Sequence, residues 1–245
     1  MNFYNLTKQP IANVHSIKTI ADGHGIRYVI FVNGCYLKCK ICANPDTWNF
    51  QNGTMTRANE IAEKIKKVKN YIKGVTVTGG EPLNSPYFVE DLFNRVHDMG
   101  LDTCLDTSGY ASEYYMDIVI PTCDQVLFCI KHLDPIKYEI LTGAKPAKSL
   151  KFWNKLEENK KPYLIRHIVI PGFSDSEKDI QFLCDILKEK PNCKGIELLP
   201  YHKFGVQKCE HLNMNYTSSD FRIPTQDELD NIVELINKNG IKVIF

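Results

Sequence analysis

Arg27-Tyr-Val-Ile-Phe-Val-Asn33 is the stretch that decides the architecture. Tyr28 to Val32 are all apolar, with no polar alternation, so both faces of this strand must be covered. Strands of that kind belong to parallel sheets flanked by helices. Gly34 follows, and glycine lets the chain turn sharply at the strand end. Outward from this run, β-branched segments alternate with amphipathic ones. Besides 27–33, strands are expected over 74–78, 102–106, 125–130, 163–170, 195–199 and 241–244. Helices are expected over 57–72, 87–99, 113–118, 135–141, 148–159, 177–188 and 226–239. Gly74, Gly100 and Gly240 each follow one of these helices, where a C-cap glycine belongs.

Alternating strands and helices form right-handed βαβ units and an α/β fold. Six main units and a short last strand fall short of the eight of a full barrel. An open doubly wound sheet and a partial barrel both fit. In either, active groups gather at the C-terminal ends of the strands. There the sequence places Cys35, Gly79-Gly80-Glu81, Asp106-Thr107, Cys129 with Lys131, Pro171-Gly172 and Pro200-Tyr201-His202. No repeat interrupts the pattern, and 205–224 reads as one long irregular stretch of the kind that serves as a lid.

A chain of 245 residues fits a single domain spanning 1–245. Thirty Lys and Arg against 29 Asp and Glu leave a net charge of +1, too little to hold nucleic acid or a membrane surface. Lys64-Ile-Lys-Lys-Val-Lys69 reads as a solvated helix face. Met1 to Pro10 carries no apolar run resembling a secretory signal, and no stretch has membrane-span length. Nine cysteines, an odd number with three bunched, suit the cytoplasm, where reduced thiols hold metal.

Those three are Cys35-Tyr-Leu-Lys-Cys39-Lys-Ile-Cys42. Thiolates are the usual ligands of iron–sulfur clusters, and three ligands leave one iron of a four-iron cluster open to a small molecule. A zinc site would need a fourth ligand, and the nearest following histidine is His97. Core packing is the other reading, but loop cysteines at ligand spacing suit it poorly. Cys104 and Cys184 fall in apolar segments and read as core, whereas Cys209 lies in the long loop and is expected to be exposed.

With this motif the chain resembles the radical S-adenosylmethionine superfamily, and within it the glycyl-radical-enzyme activases of the pyruvate formate-lyase type. The resemblance runs through Asp22-Gly-His-Gly-Ile-Arg27, Asn44-Pro-Asp-Thr-Trp48, Thr78-Gly-Gly-Glu-Pro82, Cys104-Leu-Asp-Thr-Ser-Gly109, Ile165-Arg-His-Ile-Val-Ile-Pro-Gly172 and Leu198-Leu-Pro-Tyr-His202. It implies a partial (β/α)6 TIM-like barrel with a 4Fe-4S cluster on Cys35, Cys39 and Cys42 at the open rim. It implies that Gly79, Gly80 and Glu81 receive the amino group of S-adenosylmethionine. Arg166 and His202 would line that ligand, Asp106 and Lys131 would stand at its methionyl end, and Asp22 would meet the partner's glycine loop.

The implied reaction is reductive cleavage to a 5′-deoxyadenosyl radical, which takes a Cα hydrogen from a glycine of pyruvate formate-lyase. Flavodoxin or ferredoxin would supply the electron to a monomeric activase. The alternatives are an activase of a different glycyl-radical enzyme, or a metal-holding docking module without catalysis. No further cysteine lies between Cys42 and Gly79, which argues against a ferredoxin-like insert.

The chain also departs from the family. Phe128-Cys-Ile-Lys131 stands where a hydrophobic–Asp–hydrophobic–Lys pattern is usual. That Asp, with the counterpart of Asp106, would hold a monovalent cation; Cys129 is a softer donor for a hard cation. Ile41, Ala43 and His24 stand where an aromatic, a His and a Pro are common.

Overall fold

The computed structural model describes residues 11–214 and 220–244. Among them one sheet holds β1 (Ile11–Ala21), β2 (Ile26–Val32), β3 (Thr54–Arg57), β4 (Gly74–Gly79), β5 (Asp102–Thr107), β6 (Gln125–Phe128), β7 (Tyr163–Val169), β8 (Cys193–Pro200) and β9 (Val243–Ile244). Their spatial order is β3-β1-β2-β4-β5-β6-β7-β8-β9. From β2 and β4 to β9 every pairing is parallel, while β1 and β3 add antiparallel strands at one edge. The helices are α1 (Ala58–Val68), α2 (Pro86–Asp98), α3 (Glu113–Val119), α4 (Pro135–Thr142), α5 (Ala147–Glu158), α6 (Glu177–Lys188), α7 (Phe204–His211) and α8 (Gln226–Lys238).

The sheet is curled into a partial barrel, and one contact proves it. Asp22, just before β2, meets Arg166 of β7 at 2.6 Å. Four strand spacings of about 4.8 Å each would part β2 from β7 by about 19 Å in a flat sheet. Alternation along the strands sorts the two faces. Tyr28, Ile30, Val32, Val75, Val77, Leu105, Val126, Phe128 and Ile165 join the helices in the main apolar core. Residues of opposite parity, including Thr78, Asp106, Cys129, Arg166 and Glu197, face the barrel's hollow.

Local signals explain the helix starts. The side chains of Ser112, Asp134, Ser176 and Thr225 each accept a backbone N–H from the first turn of α3, α4, α6 and α8, as N-caps do. The stretch 205–224 departs from its irregular reading, because α7 occupies its first part and only 215–219 lie outside the described residues. Cys209 is therefore buried, on a helix seated near the cysteine loop, and not exposed as expected. β1 and β3 were not anticipated. No helix among the described residues is long and apolar enough to cross a membrane.

Candidate active site

Main-chain bonds staple the cysteine loop to its surroundings. Gly34 N–H donates to Thr47 O at 2.8 Å, and Cys35 N–H to Trp48 O at 3.2 Å. Lys38 N–H and Lys40 N–H donate to Thr142 O and Leu141 O at the end of α4, at 3.0 and 2.8 Å. The loop's shape is thus set by the protein backbone. Leu37 and Ile41 turn inward and pack with Leu141, Ile170 and Tyr201. Outside the loop, α7 is tied down by Lys208 Nζ, which donates to Asn44 Oδ1 at 2.7 Å and Asp46 Oδ1 at 3.2 Å.

Cys35, Cys39 and Cys42 line one cavity of about 580 Å3 at the C-terminal rim. Burial pushes the Cys39 thiol up to about 12 and raises Cys35 and Cys42 as well. Thiols in such a setting ionise against the positive charge of bound metal. Among the described residues no three His, Cys, Asp or Glu side chains converge on a point suited to one metal ion. Three thiols lining one cavity are donors of the kind iron–sulfur clusters take.

Beside the cysteine loop, Gly79 ends β4 and Gly80 follows it, and both line the cavity. Gly79 has φ +112°, and a Cβ there would lie 2.4 Å from Val32 O. One on Gly80 would lie 2.6 Å from Gly34 O. Only glycine fits where these two turns touch backbone to backbone. Glu81 N–H completes the join by donating to Gly34 O at 2.9 Å. The Glu81 carboxylate is held by Thr107 and Ser108, two residues that line the cavity. It is buried and accepts from Thr107 Oγ1 at 2.5 Å, Ser108 Oγ at 2.6 Å, Ser108 N–H at 3.0 Å and Leu83 N–H at 3.2 Å. Gly79 and Gly80, not this carboxylate, border the cavity.

Arg166 lies at the centre of the floor. Its guanidinium pairs with Asp22 and Glu197 at 2.6 Å each and with Asp106 at 3.0 Å. Asp106 Oδ2 also accepts from Thr78 Oγ1 at 2.7 Å. Three carboxylates around one guanidinium leave excess negative charge. Burial first, and then the Asp106 charge, raise the Asp22 carboxyl to about 6 despite Arg166. Lys131 and Cys129 border the same hollow, with Lys131 Nζ donating to Cys129 Sγ at 2.9 Å. His202 lines the far wall, its ring 4.5 Å from that of Phe204, and burial lowers its pKa.

Of the rim positions read from sequence, only Pro171-Gly172 and the Glu81 side chain stand off the cavity. Sequence reading missed Glu197 and Thr78. Glu197 could have been found from parity: a lone acid flanked by the apolar Ile196 and Leu198 lies on the opposite face of the strand, toward the barrel.

Residues 21–135 match the family described as a 4Fe-4S single cluster domain. Over 216 residues the chain is 38% identical to the pyruvate formate-lyase-activating enzyme of Clostridium pasteurianum, covering 86% of this chain and 90% of that one. The chain belongs to the pyruvate formate-lyase-activating enzyme family. It is a radical S-adenosylmethionine enzyme. A domain of the pyruvate formate-lyase-activating enzyme from Bacteroides vulgatus superposes with a TM-score of 0.58 at 26% identity, covering 70% of this chain and 97% of that one. A radical S-adenosylmethionine methyltransferase from Sphaerobacter thermophilus shares the fold at 13% identity, with a TM-score of 0.66 over 96% of this chain and 76% of that one. The residues of this activating-enzyme site fit its cofactors. Three thiols supply soft ligands for iron, and the acidic hollow beside them suits a cationic sulfonium ligand.

Proposed function

We propose that this chain activates a glycyl-radical enzyme, with pyruvate formate-lyase as the partner, using Cys35, Cys39 and Cys42 as the cluster ligands. The observation that carries this reading is the joint lining of one cavity by the three thiols, the Gly79-Gly80 turn and the Arg166 centre. When bound, the cluster supplies one electron to the sulfonium of S-adenosylmethionine, releasing methionine and a 5′-deoxyadenosyl radical that takes a hydrogen from a glycine Cα. Everything else is the work of the chain's own groups.

The ligand's ammonium would meet the backbone of Gly79 and Gly80, because Glu81 is spent on Thr107 and Ser108. Its carboxylate end would face Arg166 and Lys131, with Asp106 held in place by Thr78. His202 would border the nucleoside end. Asp22, at the junction of the antiparallel edge and the hollow, would meet the partner's glycine loop. The monomeric activase would take its electron from flavodoxin or ferredoxin. Lys131 beside Cys129 makes this a poorer alkali-cation site than a paired carboxylate would be.

The test is anaerobic. Reduced, cluster-loaded protein is mixed with S-adenosylmethionine and purified pyruvate formate-lyase, and electron paramagnetic resonance is recorded. A glycyl-radical doublet on the partner, matched by equal 5′-deoxyadenosine and methionine, is the expected result. Nucleoside release with no radical on that partner, but one on another glycyl-radical enzyme, would reassign the partner. No nucleoside under any of these conditions would defeat the activase reading.

A further inference from the structure

Arg27 is the largest fully buried side chain among the described residues, with no exposure to solvent. No step proposed for the site uses it. Its NH1 pairs with Asp102 at 2.5 Å, and NH2 donates to Val75 O at 2.9 Å and Asp102 O at 3.2 Å. Gly74 makes room for it: a Cβ there would lie 2.6 Å from NH2. With the head of the side chain fixed in this way, Nε donates to Thr76 Oγ1 at 2.7 Å. A hydroxyl has one proton to give. Because Nε fills an acceptor position, the Thr76 proton is left for Asp22 O, at 2.8 Å. NH1 reaches a second carbonyl of the same turn, His24 O, at 3.3 Å. Gly23, between them, has φ +104° and packs on the Arg27 stem.

We propose that Arg27 and Thr76 are positioning residues that lock the main chain of the Asp22 turn, and so aim the Asp22 carboxylate at Arg166. The relay runs Asp102, Arg27, Thr76, Asp22, Arg166 through the barrel interior. It joins the N-terminal ends of β2, β4 and β5 to the floor of the active site. Fixing the turn by its carbonyls leaves the Asp22 carboxylate to pair with Arg166. A buried arginine suits this task because its planar fork holds several acceptors at set angles, which lysine cannot do. The consequence for the partner rests on the proposed role of Asp22; the positioning itself does not.

The experiment compares Thr76→Val, which keeps shape and loses the hydroxyl, with Thr76→Ser, which keeps the hydroxyl, in the cluster-loaded full chain. Hydrogen exchange is followed on the peptide covering residues 21–27. Thr76→Val should speed exchange there about tenfold while the β5 peptide stays protected, and Thr76→Ser should not. Partner KM is measured in the same proteins. Thr76→Val should raise it about tenfold and add nothing when combined with Asp22→Asn.

Unchanged exchange in Thr76→Val, or loosening spread equally over β5, would overturn the proposal. So would a KM effect that persists in full on the Asp22→Asn background. If Asp22→Asn alone leaves partner KM unaltered, the partner role of Asp22 falls, and the exchange measurement still decides the positioning.

Discussion

Lys131 Nζ lies 2.9 Å from Cys129 Sγ, so this ammonium is met by a soft thiol where the family pattern offers a carboxylate. Asp106 Oδ2 accepts from Thr78 and pairs with Arg166. Cys129→Asp should restore an oxygen donor and a negative charge. Apparent potassium affinity should then rise on the order of tenfold, the effect of one added contact of about 1.4 kcal/mol. Rates of S-adenosylmethionine cleavage in potassium and choline chloride at equal ionic strength measure it. Equal potassium responses in parent and variant would refute the account.

Cys39 sits in an apolar cluster and contributes a thiol to the cavity. Cys39→Ala should abolish the reduced-cluster signal while the barrel stays folded, because the loop is held by main-chain bonds to α4 and to 47–48. The loss in stability should be about 1 kcal/mol, typical of a small buried truncation. Iron and sulfide assays with circular dichroism separate the two effects. Normal cluster content in the variant would remove Cys39 from the ligand set.

Asp22 offers a pH test with a definite sign. Its folded carboxyl titrates at about 6, whereas an unfolded Asp titrates at about 3.9. The folded state therefore binds the extra proton between those values. The stability linked to that proton is fully present below about 4 and is lost as pH rises to about 6 and beyond. Asp22→Asn cannot ionise, so its Tm relative to the parent should climb across this window and level off above it. Calorimetry at a series of pH values reads the difference. A Tm difference that is flat with pH would show that Asp22 carries no such linkage.

Gly80 can be probed by adding a single carbon. Its Cβ would meet the main chain of Gly34, and neither backbone can yield by rotating a side chain. Gly80→Ala should cost about 1–3 kcal/mol by overpacking. It should also weaken S-adenosylmethionine binding, because both turns must part. Denaturant midpoints and ligand titration check this. A loss under about 0.5 kcal/mol, with binding intact, would mean the two turns separate freely.

Much of this was legible in the sequence because the parallel strands carry short stretches rich in β-branched and apolar residues. Tyr28 to Val32 and Val126 to Phe128 are examples. β1 escaped because it borders the sheet's edge: His15 and Lys18 interrupt the pattern, and only one flank is fully paired. β3 is four residues long, too short to show a period. α7 begins at Phe204-Gly205 with little amphipathic contrast, and its place comes from the tertiary tie of Lys208 to Asn44 and Asp46. In the site, residue type and strand-end position pointed to the thiols and Asp106, and the family resemblance pointed to Arg166; all of them line the one cavity. The Glu81 role inferred from the Gly-Gly-Glu motif did not anticipate the acceptor duty this side chain performs toward Thr107 and Ser108. Those partners come from the next strand over, and only the folded register brings them close.

The contact of Gly34 with Gly80 and Glu81 has a consequence for how such a protein can diversify. Cysteine loop and Gly79-Gly80 turn form one unit joined by main chain. Beyond the ladder bonds of the sheet, Arg166 of β7 reaches Asp22 and Lys208 of α7 reaches Asn44 through side chains. Replacing those side chains can recast what the cavity admits while the joined turns keep their dimensions. Inheritance can thus vary the tool's grip and leave its blade untouched.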